Sequence, residues 1–407
     1  MNLKALRDDF PALSRRINGK PILYLDNAAT ALKPTRVIDA VRDYYEQMPA
    51  NVHRGLHKLS EEASLAFEQS HETVSRFINA KPAEISFTYN TTYAINTVMH
   101  SLLLGNQLRG KRILIGRTEH HANLVPWQIA AKSANAKLEY IELDPDYSIS
   151  TTDLEKRIDD KTAIVSVGHI SNTVAAQNDV KTISKIAHDH GALCLVDAAQ
   201  TVPHQRVDVK KIGCDFLAFS GHKMCGPTGI GVLYGKEELL EKMSPAIFGG
   251  SMIQQVTYTN SVWNHLPDKF EAGTPHISGA IGLDAAVQYL QEIGMDDIQA
   301  HEQELTAYAL KRFLEIKNIR IYGPKNPAKQ GGIILFDHPK IECHEIALAV
   351  DEAANIAIRS GMHCAEPFVS SLNPKGVCRA SFYLYNTTEE IDTFCEHLSV
   401  IANAFGK

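Results

Sequence analysis

The feature that most constrains this chain is an alternation of short β-rich runs with helical segments between about Ile85 and Gly235. The runs Ile85–Tyr89, Arg112–Gly116, Leu138–Leu143, Ala163–Gly168, Ala192–Asp197, Phe216–Ser220 and Gly229–Tyr234 predict strands. Between two of them Val180, Ile183 and Ala187 recur at helical spacing, and Gly191 supplies a stop. Strand–helix–strand order of this kind favours right-handed crossovers, and so a mostly parallel sheet covered by helices. Such sheets bind ligands beyond the carboxyl ends of their strands. Residues just after each strand are therefore the first candidates for chemistry.

Further on, Leu283, Ala286, Val287 and Leu290 form a helical stripe that Gly294 closes, and a longer helix follows through Ile298, Leu305, Ala309 and Phe313. The run Gly332–Phe336, a helix near Glu345–Ala354, Ile356–Arg359, Cys378–Leu384 and a last helix predict a smaller α+β unit. The chain has 407 residues, beyond the ~250–300 at which single cores stop growing. The expected division is an N-terminal segment over 1–21 packing with the small domain, a large domain over 22–293 and a small domain over 294–407.

The formal charge of −6 gives no electrostatic reason to bind nucleic acid or an anionic membrane. No apolar run reaches the ~18–20 residues needed to span a bilayer. The charged start, Met1 to Asp9, lacks the apolar core of a signal peptide. Seven cysteines, an odd number without a Cys-x-x-Cys pair, argue against a disulfide framework or zinc ribbon. A cytoplasmic enzyme is expected.

Asp197 ends the apolar run Leu193–Val196, so its carboxylate needs a partner. That partner is either a structural cap or the pyridinium nitrogen of a cofactor held protonated as an electron sink. One strand later, Ser220, His222 and Lys223 crowd the same edge, before the turn Gly226-Pro227-Thr228-Gly229. Lysine forms Schiff bases when its amine is partly desolvated, which points to pyridoxal 5′-phosphate (PLP) on Lys223. Thr91 and Thr92 open a helix through Ile95 and Val98, where hydroxyls and free amides suit a phosphate.

His120 and His121 follow another strand, and His120 fits a ring over a flat cofactor or an acid–base group. A metal is not expected, because neither this pair nor His53 with His57 has a third ligand at convincing spacing. Arg379, in an otherwise apolar strand, needs an anion: a substrate carboxylate or an internal ion pair. Cys364 sits in a glycine-containing loop with Arg359 and His363, groups able to favour a thiolate nucleophile, while the other six cysteines read as core or bystander residues.

These stretches, together with Tyr24–Thr30, Asn51–Gly55, Glu119–Trp127, Val196–Gln200 and Phe270–Pro275, resemble the PLP-dependent cysteine desulfurases of the class-V aminotransferase family. The likeness is to the SufS/CsdA-type branch (group II, selenocysteine lyase-like) and extends over essentially the whole chain. It implies α/β architecture of PLP-dependent fold type I, and a homodimer with sites at the subunit interface. It implies that Lys223 carries the cofactor, Asp197 meets its pyridinium, Gln200 its phenolic oxygen and His120 its ring. Thr91, Thr92, Ser220 and His222 are implied phosphate ligands, with Thr274 reaching the partner subunit's cofactor. Asn172 is implied at both cofactor and substrate; Arg379, Arg359 and His53 belong with the substrate. Cys364 is the implied sulfur acceptor. The implied reaction converts L-cysteine to L-alanine and passes a persulfide to a SufE/CsdE-type acceptor, for iron–sulfur cluster or thio-cofactor assembly.

A selenocysteine lyase, or another lyase or epimerase of the same family, is the alternative, and the thiol at Cys364 separates the two. A non-catalytic descendant is a third reading. Departures from the family pattern are Asn90-Thr91-Thr92-Tyr93, where relatives have Gly-Thr-Thr-Glu, Thr173–Ala176, where a glycine is usual after the asparagine, and Met362 before His363.

Overall fold

The computed structural model describes residues 3–404; residues 1–2 and 405–407, the outermost parts of the expected N-terminal segment and small domain, lie outside them. Seven strands form the main sheet: β1 (Ile85–Thr88), β2 (Arg112–Gly116), β3 (Lys137–Ile141), β4 (Thr162–Gly168), β5 (Leu193–Asp197), β6 (Phe216–Ser220) and β7 (Gly231–Gly235). Their spatial order is β1-β7-β6-β5-β4-β2-β3. Pairings from β3 to β6 are parallel, and only β7 runs against its two neighbours. Central strands are covered on both faces, which is why they read as continuous apolar runs and not as alternation. Cys194, Leu195 and Val196 of β5, for example, are all fully buried.

A second sheet holds β8 (Arg320–Tyr322), β9 (Ile333–Asp337), β10 (Arg359–Gly361) and β11 (Val377–Ser381), in the order β8-β9-β11-β10 and antiparallel throughout. Around it Leu305, Phe313, Phe336, Ile346 and Phe394 form a core separate from the one on the main sheet. The helices Ile277–Ile293 and Met295–Leu314 meet at Gly294, whose φ of 97° is a conformation L side chains rarely adopt.

Several boundaries differ from the sequence expectation for local reasons. The expected strand Gly229–Tyr234 starts at Gly231, because Gly229 still belongs to the turn at φ 75°. The expected run Ile356–Arg359 divides: Ile356–Ala357 pairs in parallel with Leu23–Tyr24, and Arg359 joins β11. Leu25 consequently lies in the second core. The N-terminal segment touches both units. Phe10 stacks on Tyr289 and Tyr385, with centroids 5.9 and 4.7 Å away, and Arg7 Nη2 donates to Glu390 at 2.8 Å. Among the described residues no helix is long and apolar enough to cross a membrane.

Candidate active site

A cavity of about 560 Å³ opens where β1, β2, β4, β5 and β6 end, and residues of the second unit complete its wall. Asp197 closes β5 opposite Gly168 of β4 and Ala218 of β6. Its Oδ1 accepts the Ala199 N–H at 3.0 Å. Burial pushes the carboxyl above its usual range, while the Ala199 amide and the Lys223 charge oppose that rise. Lys223 lies in the single helical turn after β6. Burial lowers its amine from 10.5 to about 8; Asp197 resists this and Arg379 adds to it. An amine so lowered supplies neutral nucleophile near neutral pH.

His120 also lines the cavity. Its Nδ1 accepts the Ala122 N–H at 3.0 Å, so the ring proton resides on Nε2. Burial, with Lys223, His121 and Arg379 nearby, lowers its pKa to about 3, and the ring is neutral at physiological pH.

The helix Thr91–Leu104 begins at the cavity, capped by Asn90 Oδ1 on the Tyr93 N–H at 3.0 Å. The Thr91 N–H donates to Ser220 Oγ at 2.9 Å, and the two hydroxyls lie 2.6 Å apart. The amide and hydroxyl of Thr92 take no part in these bonds. Ser220 and His222 line the cavity too, and burial lowers the His222 pKa to about 4. Gln200 is oriented by donation from Nε2 to the Ala28 carbonyl at 2.7 Å.

Arg379 is 3% exposed. Its Nη1 donates to the Asn172 carbonyl at 2.8 Å and its Nη2 to Asp26 Oδ1 at 3.4 Å, but buried Nε has no partner among the described residues. Burial lowers its pKa to about 10, with Asp26 opposing. Arg359 forks onto Asp26 Oδ2 from Nε at 3.1 Å and Nη2 at 2.8 Å. Both readings of Arg379 thus find support: an internal ion pair exists, and a donor is left over. Cys364 is the exposed one of the seven cysteines; the other six are buried. It follows His363, and both have left-handed backbone, at φ 54° and 50°. Asn172 Nδ2 donates to the His363 carbonyl at 2.8 Å. His363 Nε2 bonds to the Val377 carbonyl at 2.9 Å, and its buried Nδ1 is unpartnered.

Two sequence candidates lie elsewhere. His53 is exposed at φ 73°, with its N–H on Ser64 Oγ at 2.8 Å, and Thr274 is exposed beside Asn51. Neither lines the cavity of its own chain. His57 caps the helix Lys58–Phe77. Asp26 and Glu119 received no role from sequence. Glu119 lines the cavity and accepts from the Gly168 N–H at 2.9 Å and Asn123 Nδ2 at 2.6 Å; burial pushes its carboxyl up to about 8. Its place directly after Thr118, ahead of His120 at a strand end, is the signal that would have found it. At the departures, Tyr93 packs edge-on against Tyr89 and Ala175 takes a φ of 58°, where a glycine is unstrained.

This donor set suits PLP. A buried carboxylate and an amine of lowered pKa share one cavity with a helix N-terminus and hydroxyls fit for phosphate. Arg379 Nε and His363 Nδ1 are buried without partners among the described residues.

Residues 23–394 match the family model described as aminotransferase class-V. A protein of Halalkalibacterium halodurans named as a probable cysteine desulfurase is 48% identical, over 100% of this chain and 99% of its own. A cysteine desulfurase of Haloferax volcanii is 43% identical, over 100% and 98%. The apo structure of a cysteine desulfurase from Thermococcus onnurineus superposes with a TM-score of 0.92 at 39% identity, covering 99% of this chain and 98% of that one.

Proposed function

The chain belongs to the aminotransferase class-V family, and from that premise we propose that it is a cysteine desulfurase converting L-cysteine to L-alanine with a persulfide left on Cys364. The observation that carries this reading is an exposed cysteine lining the same cavity as Lys223, Asp197 and Arg379.

The enzyme is PLP-dependent. Bound PLP supplies an electron sink conjugated to the substrate's amine-bearing carbon. Lys223 would carry PLP on its amine, and that amine, when free, is the base for the proton on the substrate carbon. Asp197 would hold a proton at the pyridinium nitrogen of bound PLP, its burial strengthening that interaction. Thr91, Thr92, Ser220 and His222 would hold the phosphate, Gln200 the phenolic oxygen, and neutral His120, whose Nε2 carries a movable proton, would face the cofactor. Arg379, steadied by the Asn172 carbonyl, receives the substrate carboxylate, with Arg359 beside it.

Cys364 attacks the substrate sulfur as a thiolate. The S–S bond forms as the C–S bond breaks; the electron pair stays with the carbon fragment, which takes a proton at the carbon that held sulfur, regains the one held by Lys223 and leaves as alanine. The substrate sulfur remains as a persulfide, to be passed to an acceptor protein of SufE/CsdE type for iron–sulfur cluster or thio-cofactor assembly in the cytoplasm.

The working form is a homodimer in which Thr274 and His53 serve the partner subunit's cavity. Support comes from their exposure on their own chain and from large apolar side chains left in solvent: Tyr258 and Leu56 are fully exposed, and Phe248 stacks on Trp263 beside Tyr258's hairpin. Within each subunit the junction between large and small domains lies at Gly294, with the described part of the N-terminal segment, residues 3–21, bridging to the small one.

The test is incubation with L-cysteine, measuring alanine together with protein-bound persulfide. Both are expected from the native enzyme. Cys364→Ser removes sulfur release, and alanine production persisting in that variant overturns the assignment of the nucleophile.

A further inference from the structure

The Cys364 loop has a backbone that does not hold itself in place. His363 and Cys364 both lie in the left-handed region, which is unfavourable for residues bearing a Cβ. Neighbouring contacts must select this conformation over the relaxed alternatives. One is the Asn172 amide on the His363 carbonyl. A second is His363 Nε2 on the Val377 carbonyl, and two more come from a single residue of the loop after β2, far away in sequence. The backbone N–H of His121 donates to the Cys364 carbonyl at 2.6 Å. Its ring Nε2 accepts the Glu366 N–H at 3.0 Å. Glu366 opens the short helix Glu366–Leu372, and its amide has no partner within that helix.

We propose that His121 is a positioning residue for the nucleophile, holding the Cys364 loop at two points just after the thiol-bearing carbon, the Cys364 carbonyl through its own N–H and the Glu366 amide through its ring. The proposal rests on the reading of Cys364 as the sulfur acceptor. His121 itself does not line the cavity, so it acts through the loop and not on the reacting atoms. Nε2 acts here as the acceptor of the ring, which leaves Nδ1 as its donor. The adjacent His120 does line the cavity. One dipeptide therefore fixes the distance between the ring over the cofactor site and the loop bearing the thiol. That coupling matters because sulfur transfer needs the attacking atom within bonding reach of a substrate held elsewhere.

The ring contact can be tested separately from the backbone contact. In the PLP-loaded enzyme, His121→Ala removes the acceptor, whereas His121→Gln keeps an acceptor oxygen at the reach of Nε2. Three readouts are made on each: hydrogen exchange across residues 362–368, alkylation of Cys364 by iodoacetamide without substrate, and single-turnover persulfide formation. Cysteine binding is followed in parallel by the cofactor's visible spectrum.

With one charge-neutral hydrogen bond lost, His121→Ala should speed exchange and alkylation and slow persulfide formation by about tenfold. Cysteine affinity should stay within about twofold of the native value, and His121→Gln should restore most of the rate. Native exchange and persulfide rates in His121→Ala overturn the proposal, as does a glutamine variant no better than alanine. A loss of cysteine affinity that accounts for the whole rate loss also overturns it. Persulfide release persisting in Cys364→Ser overturns the reading of the nucleophile. A native rate in His121→Ala beside an inactive Cys364→Ser overturns the clamp alone.

Discussion

Asp26 accepts a forked pair of hydrogen bonds from Arg359, 3.1 Å from Nε and 2.8 Å from Nη2, on a carboxylate that also reaches buried Arg379 at 3.4 Å. One negative charge is shared by two guanidinium groups at the cavity wall. The Arg359 contact is half-exposed, so solvent screens it. The Arg379 contact is the one whose loss leaves a buried cation short of a partner. Asp26→Asn should therefore lower unfolding free energy by about 1–3 kcal/mol in urea titration. Arg359→Gln should cost about 1 kcal/mol or less. Equal losses from the two variants would rule out this partition.

The two threonines that open the helix at the cavity should separate by role. Thr91 is tied to Ser220 through both its N–H and its hydroxyl, so Thr91→Val should lower thermal stability. The Thr92 side chain makes neither of those bonds, and Thr92→Ala should leave stability unchanged while weakening retention of the cofactor by about tenfold. Dialysis of the loaded enzyme, followed by absorbance, measures the second effect.

His363 should make the protein acid-sensitive. Its folded pKa is lowered to about 3, chiefly by burial and then by Arg379, from an ordinary 6.5. Above 6.5 neither folded nor unfolded state binds the proton, and the group is silent. Below 6.5 the unfolded chain binds it and the folded one does not, so stability falls with falling pH down to about 3. Between pH 7 and 4.5 the native protein should lose about 2–3 kcal/mol more than His363→Gln does. Parallel stability–pH curves for the two proteins would contradict this.

Apolar surface should decide assembly. Tyr258, fully exposed on the hairpin Ile253–Val256 to Ser261–Trp263, lies close in sequence to exposed Phe248 and Val262. In the proposed dimer, Tyr258→Glu is expected to shift sedimentation toward the monomer and to weaken cofactor retention, because Thr274 would no longer reach the facing cavity. A dimer of native affinity in this variant would remove the hairpin from the interface.

Much of the fold could be read locally. The strands of the main sheet were legible to within about two residues at each end, because a strand buried on both faces writes itself as a short apolar run. The strand Arg320–Tyr322 was not legible, since three residues carry no measurable period. The switch of the chain between sheets at Ile358 was also hidden, because the partners of Ile356 and Ala357, Leu23 and Tyr24, lie over 300 positions away. Within the site, Lys223, Asp197, His120 and Cys364 were legible by residue type and position after strands. Asp26 and His121 were not, since their importance consists only of contacts to Arg359, Arg379, Cys364 and Glu366.

By itself, then, the sequence determined which segments are strands and helices, which residue types stand at the strand ends, and which family the motifs resemble. Those properties follow from short-range periodicity and from the chemistry of single side chains. Tertiary structure decided which of those residues share a cavity. It brought Cys364 and Arg379 from a second sheet to Lys223 and left His53 and Thr274 outside. It also set the charge states, because burial in this cavity, more than any local motif, lowers the Lys223 amine and raises the Asp197 carboxyl.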